Sequence, residues 1–137
     1  MQKVETVRVP VEEMLALATL ARQSAEQGRL DDARVLLEGL GLLEPQVAFL
    51  HTSLGCVYLR MGKDQDALVE FDEALRLDPR DVAAHTYAGE LRLERSESQA
   101  ALAHLEQAIA LDPDGRDAFA NRARTLRLRA TPQGGGS

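Results

Sequence analysis

The apolar and small residues of this chain recur in a fixed order, with polar residues between them. The most regular run is Leu54-Gly55, Tyr58, Gly62, Ala67, Phe71, Ala74 and Pro79. Ala88-Gly89, Ala101, Leu105, Ala108 and Pro113 follow in the same order. Leu20-Ala21, Gly28, Ala33, Leu37, Leu40 and Pro45 come before it. Inside each run the apolar positions fall three and four apart, the spacing that lays side chains along one face of an α-helix. The pattern predicts paired helices over 11–27 and 31–42, 46–61 and 65–77, and 81–95 and 99–111, with a last helix over 115–129. Gly28 and Gly62 mark the turn inside a pair.

The runs keep a constant period. Pro45, Pro79 and Pro113 are 34 residues apart, as are Ala33, Ala67 and Ala101, and Gly55 and Gly89. A period of this length is the mark of a stacked helical repeat. The order Leu-Gly, Tyr, Ala, Phe, Ala, Pro resembles the tetratricopeptide repeat (TPR), and the resemblance covers roughly Met14 to Leu128. It implies an all-α solenoid of three helix-turn-helix repeats, at about 14–47, 48–81 and 82–115, closed by a capping helix over 116–130. Residues 1–10 are then a lead-in, 11–130 the TPR domain, and 131–137 a tail whose Gly134-Gly135-Gly136-Ser137 reads as a flexible linker or a fusion scar. The chain departs from the family where it carries Leu17, His51 and His85 at the usual Trp position, and Ser24 and Arg92 at the Tyr position.

Elementary packing agrees with this pattern. Gly55, Gly89, Ala67 and Ala101 are small enough to let two helices approach, and Leu54, Phe71 and Leu105 fill the space alongside. Asp78-Pro79 and Asp112-Pro113 end helices, because the residue before proline avoids the α region. Asp81 and Asp114 are expected to cap the helices that follow. Gly39 and Gly41 lie inside the second predicted helix, where each costs about 1 kcal/mol relative to Ala. A close helix crossing is the expected reason for them.

The length, 137 residues, suits one domain. Aromatics are only 4% and Trp is absent, so the core must be built from Leu, Ala and Val. No apolar run approaches the ~20 residues that span a bilayer. Met1 to Pro10 has no apolar signal core, although Val4, Val7, Val9 and Val11 form an apolar lead-in. The single cysteine, Cys56, excludes an internal disulfide and a Cys-pair zinc site, and a reducing, cytoplasmic location is expected. Net charge is −6, with five Arg and one Asp between Arg116 and Ala130 and the rest of the chain acidic. An acidic body argues against a nucleic-acid surface.

No catalytic constellation is visible. His51, His85 and His104 lack metal-ligand spacing, and His51 and His85 fall where the family buries a large ring, so core packing is expected of them. No phosphate loop, nucleophile elbow or His-Glu-x-x-His motif occurs. Asp31-Asp32 and Glu12-Glu13 sit at helix starts, where the helix dipole explains them. The chain is expected to be no enzyme and to need no cofactor or metal.

The expected activity is protein binding. In stacked helical hairpins the first helix of each pair lines the concave side. The resemblance to the tetratricopeptide repeat implies a groove face offset from the core Leu and Gly positions, with residues three and four apart along it: Leu15, Ala18, Arg22 and Ala25; Phe49, Thr52, Cys56 and Leu59; Ala83, Thr86, Glu90 and Leu93; and Asp117, Ala120, Arg124 and Arg127. Phe49 is the expected anchor. The first two strips are mostly apolar and suit a hydrophobic or amphipathic segment of a partner. The cationic clamp that TPR domains use for a C-terminal carboxylate is missing, with Arg124 and Arg127 its nearest candidates. Leu15-Ala16-Leu17-Ala18 with Gly28-Arg29-Leu30-Asp31-Asp32-Ala33, and Ala88-Gly89-Glu90-Leu91-Arg92-Leu93, resemble the class II chaperones of type III secretion. That resemblance implies a groove that holds hydrophobic translocator proteins. The alternative is a TPR scaffold or adaptor in a pilus, motility or envelope assembly, and a homodimer stays open. Gly39, Gly41 and Arg92 argue against a consensus-designed repeat.

Overall fold

The computed structural model describes residues 8–131. Val4 and Val7 of the lead-in and the Gly-rich tail lie outside the described residues. Among the described residues there are seven α-helices and no strand: α1 (Val11–Glu26), α2 (Leu30–Leu43), α3 (Ala48–Arg60), α4 (Asp64–Leu77), α5 (Val82–Glu94), α6 (Ser98–Ala110) and α7 (Ala118–Ala130). Helices α1/α2, α3/α4 and α5/α6 pair as hairpins, and α7 packs on both α5 and α6.

The closest approaches fall where the small residues are. A Cβ added at Gly55 would sit 2.7 Å from Phe71 Cε1, and one at Gly89 would sit 2.6 Å from Leu105 Cδ2. Each outer helix therefore lays its large side chain directly on the bare backbone of the inner helix. Ala67 and Ala101, one turn before Phe71 and Leu105, are fully buried. The core is discontinuous. Met14, Leu37, Leu40, Leu50 and Leu54 join α1, α2 and α3. Leu68, Phe71, Ala88 and Leu91 join α4 and α5. Leu105, Ala108, Ala123 and Leu126 join α6 and α7.

The histidines at the ring position make the same connection twice. His51 Nε2 lies 3.0 Å from the Pro45 carbonyl and its Nδ1 2.9 Å from Glu70. His85 Nε2 lies 2.8 Å from the Pro79 carbonyl and its Nδ1 3.2 Å from His104 Nδ1. A carbonyl only accepts, so each Nε2 carries the proton, and the His104 Nδ1–H donates to His85. Each ring thus ties an inner helix to the preceding turn and to its own outer helix. Burial opposes the charged form of His51, but the Pro45 carbonyl and the Glu70 carboxylate outweigh it and raise its pKa. Burial and the neighbouring His85 lower that of His104.

Two local expectations are corrected. Gly39 and Gly41 make no close crossing: a Cβ at either would meet nothing within 4 Å. Gly41 instead borders a cavity of about 360 Å³ on the outer side, floored by Leu37, Leu50 and Leu54. Asp114 does not cap the last helix, which begins three residues later than predicted. Asp117 is the cap, accepting from the amides of Phe119 and Ala120 at 2.8 and 3.1 Å. The shift follows from Asp112, whose carboxylate takes the Arg116 and Asp117 amides and holds 112–117 in a loop. Asp81 caps α5 as expected, through Ala84 N at 3.0 Å.

The hairpin turns add a point that the sequence pattern does not show. Gly28 and Gly62 have φ of 84° and 75°, and Ser96, in the same place in the third hairpin, has φ of 61°. The left-handed conformation costs a residue with a Cβ about 1–2 kcal/mol, a penalty glycine escapes. Ser96→Gly is therefore expected to raise stability by about 0.5–1 kcal/mol even though glycine is more flexible when unfolded. Denaturant unfolding checks this, and a loss of stability would mean the turn tolerates Ser96 without strain.

Candidate functional site

Helices α1, α3, α5 and α7 share the inner face, and two clefts open on it. The first lies between α1 and α3 and encloses about 140 Å³. Ala18, Ala25, Cys56 and Val57 form its walls over Leu37, with Arg22 and Arg60 at the mouth. The second, about 310 Å³, lies between α3 and α5 and reaches α7. Leu59, Leu91 and Tyr87 line it, together with Asp64, Glu90, Glu94 and Arg122.

The predicted strips fare unequally against this geometry. Leu15 is half exposed on α1, and Ala18 and Arg22 line the first cleft. Ala25 also lines it but is almost completely buried. Arg22 holds Glu26 at 2.7 Å. Cys56 and Leu59 line one cleft each. Phe49 is not the bare anchor expected; it is partly buried against the α1–α3 core. Ala83 is half-buried.

Thr86 and Ala120 are not on the surface at all, each being 0% exposed. The cause is that α5 and α7 pack directly on each other. Thr86 Oγ1 donates to the Phe119 carbonyl at 3.1 Å, which joins α5 to the start of α7. Thr52, one repeat earlier, donates to the Asp81 carboxylate at 2.6 Å and joins α3 to the start of α5. Leu93 packs toward the α6–α7 core. Asp117 is engaged as the α7 cap.

Neither of the nearest candidates for a cation clamp lines a cleft. Arg124 bonds the Asp112 carboxylate at 3.1 Å and the Asp112 carbonyl, so it fastens the 112–117 loop. Arg127 is partly buried and lines neither cleft. Arg122, which the sequence reading passed over, reaches Glu90 with two bonds, one of 3.0 Å.

Tyr87 is the other residue missed. Its ring stacks on Phe71 with centroids 5.0 Å apart and meets Phe119 at 5.4 Å. Burial pushes its phenol up to about 12, with Cys56 beside it adding to the shift. Burial likewise pushes the Cys56 thiol up to about 11, against a small opposing effect of the Tyr87 hydroxyl. The thiolate is the reactive form, so Cys56 is expected to resist thiol reagents at pH 8. Its labelling in native protein should be far slower than in guanidinium-unfolded protein. Equal rates would place the sulfur in solvent.

A family model described as tetratricopeptide repeat matches residues 52–116. Over that span the chain is similar to a tetratricopeptide repeat. The helices before and after it continue the same series of paired helices. A comparison with curated protein sequences finds no match. Solved structures agree on the fold. The type III secretion chaperone SycD of Yersinia enterocolitica, in complex with a peptide of the translocator YopD, has 18% identity and a TM-score of 0.79, over 90% of this chain and 96% of that one. PcrH from Pseudomonas aeruginosa has 21% identity and a TM-score of 0.80, over 91% and 96%. The first TPR of Spaghetti (RPAP3), bound to the HSP90 peptide SRMEEVD, has 19% identity and a TM-score of 0.78, over 90% and 94%. At such identities the likeness establishes the fold. No helix among the described residues is long and apolar enough to cross a membrane.

With the TPR frame in place, the missed residues become legible. On α5 the open ridge is Ala83, Tyr87, Glu90 and Glu94, a +4, +7, +11 series. The predicted +3, +7, +10 series put Thr86 and Leu93 on the surface instead. The exposed position Glu94 and the half-buried Tyr87 carry the surface. A three-or-four spacing rule admits both series, and only the placement of α7 chooses between them.

Proposed function

We infer that this TPR chain holds a segment of another protein in its concave groove. The observation that carries the reading is the small apolar cleft between α1 and α3. It is floored by Leu37 and walled by Ala18, Cys56 and Val57. Apolar surface left open in a concave face is a recurring feature of interaction sites.

The finer reading is a type III secretion translocator chaperone. It rests on the sequence runs around Leu15–Ala18 and Gly28–Ala33 and on the likeness to SycD, whose structure holds a YopD peptide. An acidic carboxylate tail such as SRMEEVD, which RPAP3 holds, suits this groove less. Arg122 and Arg124 are both committed to internal carboxylates. A scaffold in a larger assembly would use the same groove.

Affinity capture with two variants tests the groove. Ala18→Glu places a charge in the cleft, whereas Leu42→Asp alters the most exposed large apolar residue, on the opposite side. Wild type and Leu42→Asp are expected to retain the same partner and Ala18→Glu to lose it, with all three folded by circular dichroism. Retention by Ala18→Glu and loss by Leu42→Asp would move the binding surface to the outer face.

A further inference from the structure

The two clefts flank α3, and their chemistry differs. The α1–α3 cleft is apolar within, and its two mouth residues, Arg22 and Arg60, are basic. The α3–α5 cleft has an apolar wall of Leu59, Leu91 and Tyr87 facing the carboxylates of Asp64 and Glu94. Glu90 opens on the same space but is neutralised by Arg122 at 3.0 Å. Among the described residues neither Asp64 nor Glu94 has an ion-pair partner. The second cleft is thus a largely polar channel with a short apolar wall and uncompensated negative charge.

Charge complementarity selects the occupant. A Lys or Arg side chain has an apolar stem and a cationic head, and it buries the first while keeping the second at the rim. Neighbouring packed helices lie roughly 8–10 Å apart. An extended chain advances about 3.3 Å per residue. Crossing α3 from one cleft to the other therefore takes about two to four residues, and because side chains of an extended chain alternate sides, only the even spacings turn both into the groove.

We propose that the groove binds an extended segment in which an apolar residue, seated between α1 and α3, lies two or four residues from a Lys or Arg, seated between Asp64 and Glu94. The proposal rests on the groove reading above and adds its specificity. The basic side chain lays its methylenes along Leu59 and Leu91. An acidic residue at that place is repelled, which also sets this groove apart from one that takes an acidic tail.

An array of nine-residue peptides tests it, each with one Leu and with Lys, Arg, Gln or Glu two or four residues to either side. The full-length protein is the probe's partner, at low and high salt. Lys and Arg peptides are expected to bind about fivefold tighter than Gln peptides, the scale of two partly exposed ion pairs, and Glu peptides weaker still. The preference should shrink in high salt. It should disappear in the double variant Asp64→Asn/Glu94→Gln while Leu-dependent binding persists. Leu-dependent binding indifferent to the charged position would overturn the specificity and leave the groove reading standing. Binding by none of the peptides would overturn both. A preference that survives in the double variant would place the cation elsewhere and reject the Asp64/Glu94 assignment.

Discussion

Phe71→Ala is expected to cost about 3–5 kcal/mol, the range for removing a fully buried aromatic side chain. The ring has no exposed surface. It lies on the bare backbone at Gly55, where an added Cβ would come within 2.7 Å of Cε1. It also stacks on Tyr87 at 5.0 Å and nearly parallel. One side chain therefore joins α3, α4 and α5, and no neighbouring helix can close over the hole without a shift of backbone. Against a total stability of about 5–15 kcal/mol for an ordinary domain, the loss brings the protein near its unfolding threshold. Urea unfolding measures it. A change below about 1 kcal/mol would mean the site collapses freely and that Gly55 is not held against Phe71. Because Tyr87 leans on the same ring, the α3–α5 cleft is expected to loosen with the core.

Leu105→Ala is expected to cost about 2–5 kcal/mol. Leu105 occupies the same repeat position as Phe71 and is also fully buried. Its Cδ2 would be 2.6 Å from a Cβ at Gly89. The core it anchors is thin: its other buried members are Ala108, Ala123, Leu126 and Ala130, with Val82, Leu93, Leu102 and Ile109 only partly buried against them. The damage should be local as well as global, since α7 rests on this cluster. Hydrogen exchange should show α7 amides losing more protection than those of α1 and α2, because repeat proteins open from a weakened end. Uniform loss along the chain would show that the three cores unfold as one unit.

Comparing these two sites shows why the architecture was readable. Position by position, Phe71 and Leu105 face Gly55 and Gly89. Any sequence that repeats a large residue and a glycine at one offset over 34 residues must bury the same crossing each time. The groove was less readable. Thr52 and Thr86 occupy the same helical face as Cys56 and Glu90, so their spacing fits the groove equally well. Their hydroxyls are spent on Asp81 and the Phe119 carbonyl, groups 29 and 33 residues away. Arg124 looks like a groove cation by its spacing and is drawn off by Asp112. Gly39 and Gly41 look like a helix crossing, yet open space surrounds both.

The sequence by itself determined the all-α class, the hairpin order, the 34-residue repeat and the small-against-large crossings. These are set by local periodicity and side-chain size, which recur in each repeat. Only the tertiary structure decided which inner-face residues remain open, that Asp117 rather than Asp114 starts α7, and that Asp64 and Glu94 share one cleft. The open residues and the shared cleft turn on contacts between residues about 30 positions apart, whereas the start of α7 turns on which amides the Asp112 carboxylate takes, 4 and 5 residues on. Helical spacing fixes the direction a side chain takes, not what it meets there.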